Sequence, residues 1–129
     1  MIRFKLDPAS PSPIYSQIIE QVRWAVAAGV LRPDDELPSV RNLASQQLIN
    51  PNTVARAYLE LEREGLVTKK RGTGTYVSPQ AARLSDENRT RMVAEVLDKA
   101  LRQAVEIHMS PDQIRKIFEE RLKALEDER

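Results

Sequence analysis

Three proline-marked helix starts constrain what this chain can fold into. Ser or Asn directly precedes proline at Ser12-Pro13, Asn50-Pro51 and Ser110-Pro111. A small polar side chain caps a helix, and proline suits the first helical position because its missing N–H would have no partner there. Apolar residues follow each pair at helical spacing. We therefore predict a mainly helical chain with Ser12, Asn50 and Ser110 as caps.

The first part of the chain contains three predicted helices. Gly29 and Gly65 are placed to end the first and the third. An irregular connector at 31–38 leads to a short second helix, for which Ser39 is the predicted cap. The third helix carries an apolar stripe that we expect to face inward, formed by Val54, Ala57, Tyr58 and Leu61.

A β-hairpin follows the third helix. Strands are predicted at 66–69 and 73–77, with a hairpin tip at 70–72. The fold class is thus mainly α with a small β-hairpin. This order of elements predicts a winged helix-turn-helix domain over residues 1–78.

Residues 79–129 form the second predicted region, which is helical and amphipathic. Its apolar stripes need a partner, which is either the first helix of the same chain or a second copy. We favour a homodimer, because a protein that reads one half-site gains specificity from two-fold pairing. The residues predicted to form the dimer interface are Val93, Val96, Leu97, Ala100, Leu101, Ala104, Ile114, Ile117 and Phe118.

Composition excludes several classes of site. The chain has no cysteine, four glycines and one histidine, His108, which excludes thiol chemistry and multi-histidine metal sites. We expect no enzyme activity, metal or cofactor. Without a secretory signal or an apolar run long enough for a bilayer, a cytoplasmic protein is expected. A small-molecule effector of unknown identity could bind between the two parts, lined by Met92 and Met109.

Polar and basic residues at the predicted helix starts suit double-stranded DNA. The first turns of a recognition helix reach base edges in the major groove, where Asn pairs with adenine and Arg with guanine. The start of the second helix and the hairpin tip are placed to meet the backbone and the minor groove. The candidate residues are Ser39, Arg41, Asn52, Thr53, Arg56, Lys70, Arg71, Gly72 and Thr73.

Other interpretations of these residues remain open. Ser39 and Asn50 can act only as caps. Arg56 can be a solvated arginine, with Glu60, Glu62 and Glu64 pairing either with it or with Arg63. Since the net charge is only +1, a winged-helix adaptor that binds proteins is the alternative function.

Several separated segments, in order, resemble the GntR family of bacterial transcription regulators. They are Pro13–Ile18, Leu37–Ala44, Asn50–Glu62, Gly65–Val67 and Arg71–Val77. The short helical tail is similar to the YtrA-type subgroup. The resemblance implies a homodimer on a two-fold DNA operator, often a repressor of its own operon and often linked to ATP-binding-cassette transporter genes. The family usually has glycine at the position of Leu48, so we expect strain or a reshaped turn there.

Overall fold

The computed structural model describes residues 2–70, 72 and 74–129. It divides into two compact units, Met1–Arg89 and Thr90–Arg129. The elements, in chain order, are helices α1 (Ile14–Ala27), α2 (Val40–Gln47) and α3 (Pro51–Arg63), strands β1 (Val67–Lys70) and β2 (Gly74–Val77), and helices α4 (Ala81–Glu106) and α5 (Pro111–Asp127).

Helix α3 is the centre of the first unit, because α1, α2 and β1 all pack against it. The predicted inward stripe is confirmed, and Val54, Ala57, Tyr58 and Leu61 are all buried. They meet buried residues of the other elements in one core, among them Ile18, Val22, Leu37, Leu43 and Val77.

Three of the four predicted helix caps are confirmed. Ser39, Asn50 and Ser110 each accept a hydrogen bond from a backbone N–H of the first helical turn. The prediction for Ser12 is wrong, because Pro13 occupies the cap position and no side chain caps α1. The Ser12 carbonyl instead accepts a hydrogen bond from the Gln17 side chain at 2.8 Å.

A residue with a left-handed backbone conformation follows each of four helices. Gly29 and Gly65 have positive φ, as the predicted helix ends require, and Leu48 and His108 take the same conformation after α2 and α4. Leu48 has φ 55° and ψ 48°, and the next residue, Ile49, donates its N–H to the Ala44 carbonyl at 3.0 Å. The turn is therefore not reshaped: Leu48 adopts the strained conformation.

The two strands pair antiparallel, with Val67 opposite Val77. Strand β1 begins one residue later than predicted. The predicted first residue of the second strand, Thr73, lies outside the described residues. The connector before α2 was predicted to be irregular, but it lies along the other edge of β2. Leu37 donates its N–H to Thr75 at 2.9 Å, and Val77 donates to Asp35 at 2.8 Å. These bonds satisfy backbone groups that would otherwise be left unpaired at a sheet edge.

An extended N-terminal segment lies along α1. The side-chain amide of Gln21 both donates to and accepts from the backbone of Lys5, and Gln17 bonds Asp7 in the same two-way manner. Phe4, between these residues and the chain start, is buried in the core. Glutamine side chains thus take the place of a neighbouring strand and hold the segment against the start of α1.

The first unit reaches Arg89 and does not end at Ser78. Helix α4 begins at Ala81, and its first turns belong to this unit. Ala81 and Ser85 are buried, and Leu84 packs against the core.

The second unit has no buried residue of its own. From Thr90 onward every side chain is exposed or half-buried, and α4 and α5 do not pack side by side. Among the described residues, no helix is long and apolar enough to cross a membrane.

Candidate nucleic-acid interface

The start of α2 presents a cation and unpaired backbone donors. The Ser39 hydroxyl oxygen accepts the Asn42 N–H at 3.0 Å, so this side chain acts as a cap while its own proton stays available. The backbone N–H groups of Val40 and Arg41 make no hydrogen bond within the described chain. Arg41 is exposed beside them. Such a helix end can bind a phosphate oxygen through its amides and its positive partial charge.

The start of α3 is fixed by Asn50 and displays the predicted reading residues. Asn50 accepts the Asn52 N–H at 2.8 Å through its side chain and the Thr53 N–H at 3.0 Å through its carbonyl. Asn52 and Arg56 are exposed and one turn apart, whereas Thr53 is half-buried. The first two turns of α3 therefore present an amide and a guanidinium away from the core.

Tyr58 ties the start of α2 to α3, which sequence reasoning missed. Its phenol lies in the core, and its O–H donates to the Pro38 carbonyl at 2.6 Å, just before the Ser39 cap. Burial raises the pKa of Tyr58, so the hydroxyl keeps its proton and this bond. Through Tyr58, the position of Arg41 is linked to that of α3. A tyrosine among the apolar residues of a helical stripe was the only available signal.

Arg56 contacts an aromatic ring of α1, which sequence reasoning also missed. Its guanidinium carbon lies 3.7 Å from the centroid of the half-buried Tyr15 ring. No carboxylate of the described residues lies within 4.0 Å of Arg56.

The glutamates of α3 and its cap pair with other cations. Glu60 lies 3.7 Å from Arg63, Glu62 lies 4.0 Å from Lys69, and Glu64 lies 2.7 Å from Arg23. Of the two partners that the alternative interpretation of the sequence named, Arg63 pairs with Glu60, whereas none of these glutamates lies within 4.0 Å of Arg56.

The Arg23 bridge is the least exposed of the three. Burial acts to lower the pKa of Arg23, but the hydrogen bond and charge of Glu64, together with Glu20, raise it more. This pair joins α1 to the end of α3, where it fixes the two helices together. It lies among the acidic residues that end α3, away from the predicted reading residues at its start.

The predicted wing is described only in part, because Arg71 and Thr73 lie outside the described residues. The Lys70 ammonium lies 3.8 Å from the Asp34 carboxylate and 4.5 Å from the centroid of the Tyr76 ring. Gly72 is exposed and has φ 74°, a backbone conformation that residues other than glycine rarely adopt. Lys70 is thus held beside β2, and the role of the wing in binding DNA stays a prediction.

Comparison with known proteins identifies relatives of both the domain and the longer chain. Residues 14–77 match the model of the bacterial regulatory proteins of the gntR family. The transcriptional repressor YtrA of Bacillus subtilis is 41% identical over 115 residues, which are 89% of this chain and 86% of that protein.

Solved structures agree with these matches. A GntR-family regulator from Listeria monocytogenes superposes with a TM-score of 0.72 at 26% identity, covering 89% of this chain and 98% of that one. YtrA from Sulfolobus acidocaldarius, a GntR-family transcription factor, gives 0.57 at 35% identity, over 76% and 96%. The shared helices and hairpin, and the identity along most of the chain, show that this DNA-binding transcriptional regulator belongs to the GntR family.

Proposed function

We propose that the chain binds a two-fold DNA operator as a homodimer and represses transcription, with the starts of α2 and α3 as the binding surface. The observation that carries the proposal is the charge distribution on these helices. Arg41 and Arg56 are exposed and have no carboxylate within 4.0 Å in the described chain. Phosphates and guanine edges are the acceptors that exposed guanidinium groups bind most readily.

The same distribution sets how far α3 can enter a groove. Its first nine residues, from Pro51 to Leu59, contain no acidic side chain, whereas Glu60, Glu62 and Glu64 follow. DNA repels carboxylates, so only the first turns of the helix can approach the bases. We assign base contacts to Asn52 and Arg56 and a phosphate contact to Arg41, with Ser39 as cap and second donor.

The second unit supports pairing with another copy. Of the predicted interface residues, Ala104 and Ile114 are half-buried and the others are exposed. Leu97, Leu101 and Phe118 each expose 39–48% of their surface. Apolar residues grouped on a unit in which no described residue is buried call for a partner. A second copy is that partner in our proposal, because it also brings two reading helices to one operator.

Repression of its own operon, without any catalytic activity, is the regulatory mode we propose. The relative from Bacillus subtilis is named a repressor, and it matches this chain beyond the DNA-binding domain.

Arginine variants test the assignment of the surface. Arg56→Ala is expected to weaken binding to an operator duplex by about 1–3 kcal/mol and to relax the sequence preference. Arg41→Ala is expected to weaken binding to all duplexes alike and to reduce the salt dependence by about one phosphate contact. Fluorescence anisotropy with DNA from upstream of the gene, at several salt concentrations, measures both effects.

Arg63→Ala is the matched control, since Arg63 lies on α3 beside Glu60 in the acidic half. Equal losses for Arg63→Ala and Arg56→Ala would contradict the proposed surface. Unchanged affinity for both Arg41→Ala and Arg56→Ala would show that the assignment of the binding surface to α2 and α3 is wrong.

A further inference from the structure

The contact between Tyr15 and Arg56 joins the first turn of α1 to the second turn of α3. The guanidinium carbon lies over the ring, 3.7 Å from its centroid, which is well inside the range of a cation–π contact. Tyr15 is half-buried and packs against the hydrophobic core, while Arg56 is exposed. An anchored ring therefore lies beneath an arginine on the proposed DNA surface.

This kind of contact leaves the hydrogen-bond donors of the arginine available. The five N–H groups of a guanidinium lie in its plane, whereas an aromatic ring contacts its face. A carboxylate would instead occupy the donors, and none lies within 4.0 Å of Arg56 in the described chain. The ring thus restricts a long, flexible side chain without using the groups that bind DNA.

Restricting the side chain lowers the cost of binding. A free arginine loses rotamer freedom when it binds, and a side chain already held in place loses less. The ring itself is held in place, because Tyr15 packs against the hydrophobic core. α1 in turn packs against α3.

We propose that Tyr15 is a positioning residue for DNA recognition, which holds the Arg56 guanidinium so that its donors meet two acceptors in one plane. This inference rests on the proposed function. Either guanine, through O6 and N7, or a phosphate offers such a pair of acceptors. A ring that served only to pack α1 on α3 would affect folding and leave the sequence preference unchanged.

Four variants of the full chain test the role of Tyr15. Tyr15→Phe keeps the ring and is expected to bind like wild type. Tyr15→Leu keeps an apolar side chain without a ring, and its affinity for the upstream duplex is expected to fall about three- to tenfold. Arg56→Ala is expected to lose about tenfold or more. The double variant Tyr15→Leu/Arg56→Ala is expected to bind no more weakly than Arg56→Ala alone, because there is no guanidinium left to position.

The readouts separate positioning from packing. Anisotropy is measured with the upstream and a scrambled duplex across salt concentrations, and thermal melts report folding. A loss confined to the upstream duplex identifies a guanine contact, and equal losses with a shallower salt dependence identify a phosphate contact. Wild-type affinity for Tyr15→Leu, or losses that add in the double variant, would overturn the proposal.

Failure of the proposed function has a different signature. If the wild-type chain binds no duplex, both proposals fail. If the wild-type chain binds, and Arg56→Ala weakens binding while Tyr15→Leu does not, only the proposed role of Tyr15 is wrong. Should Tyr15→Leu fail to fold, Arg56→Lys is the second test. It keeps the charge without the planar donors, so a strong loss for the upstream duplex is expected. Wild-type affinity for Arg56→Lys would overturn the need for a positioned guanidinium.

Discussion

Truncating two leucines of α4 should dissociate the proposed dimer while leaving each chain folded. Leu97 and Leu101 lie one turn apart and expose 39% and 42% of their surface. Replacing both with alanine removes apolar surface from the proposed interface. Alanine is the strongest helix former, so α4 itself should persist.

The size of the effect follows from these exposures. Full burial of a leucine side chain is worth about 1.5–3 kcal/mol, so hiding the remaining two-fifths is worth about 0.6–1.2 kcal/mol. A two-fold dimer contains each leucine twice, which gives about 2–5 kcal/mol for the four side chains. Because each 1.4 kcal/mol or so is a factor of ten in Kd, the dissociation constant should rise by about two to three orders of magnitude.

Sedimentation equilibrium over a range of concentrations measures this change, with circular dichroism to check that the helices remain. Leu59→Ala is the matched control, since Leu59 is 44% exposed but lies on α3 in the first unit. The control should dimerise like wild type. A dimer equally stable in the double variant, or a wild-type chain that stays monomeric at all concentrations, would refute the assigned interface.

Two stability predictions follow from the turn and from the buried phenol. Leu48→Gly should stabilise the protein by about 0.5–1 kcal/mol, because relief of about 1–2 kcal/mol of left-handed strain exceeds the entropy cost of glycine. Leu48 is 92% exposed, so no packing is lost; Leu48→Ala keeps the strain and should gain nothing, and a destabilised Leu48→Gly in urea unfolding would contradict this account. Tyr58→Phe should cost about 1–3 kcal/mol at pH 7, because the Pro38 carbonyl loses its donor. Since burial raises the pKa of Tyr58, the bond's stabilisation is full below the ordinary tyrosine pKa of about 10 and declines above it. The difference between wild type and Tyr58→Phe should therefore shrink between pH 7 and pH 10.5, and a constant difference would argue against the raised pKa of the buried phenol.

Local signals in the sequence predicted most of the fold. Ser39, Asn50 and Ser110 are confirmed as caps because capping depends on a few neighbouring residues. Gly29 and Gly65 end their helices for the same local reason. The failure at Ser12 is also local in origin. Gln17 bonds the chain before α1, and the cap position falls on Pro13, which has no side-chain acceptor.

Long-range contacts account for what the sequence did not reveal. The pairing of residues 34–37 with β2 joins segments about forty residues apart, and residues 34–37 carry no alternating strand pattern of their own. The first unit extends past Ser78 because Ala81, Leu84 and Ser85 find a core made by earlier elements. No periodicity reports such packing.

The candidate site also combines features that local sequence signals predict with features that depend on long-range contacts. Its exposed residues could be chosen from helical spacing, because Asn52 and Arg56 lie opposite the buried stripe of α3. The contacts of Tyr15 and Tyr58 with other elements could not be predicted in this way. Tyr15 and Tyr58 act on partners in other elements, Arg56 and Pro38, and only the tertiary structure brings those pairs together.

Sequence-selective binding of the wild-type chain to DNA is the property to measure first. The measurement is anisotropy with a labelled duplex from upstream of the gene and with a scrambled duplex of equal length, each over a series of salt concentrations. We expect tighter binding to the upstream duplex, with an affinity that falls steeply as salt rises, because arginines on α2 and α3 displace counterions from phosphates. Weak and equal binding to both duplexes, with little dependence on salt, would contradict this expectation.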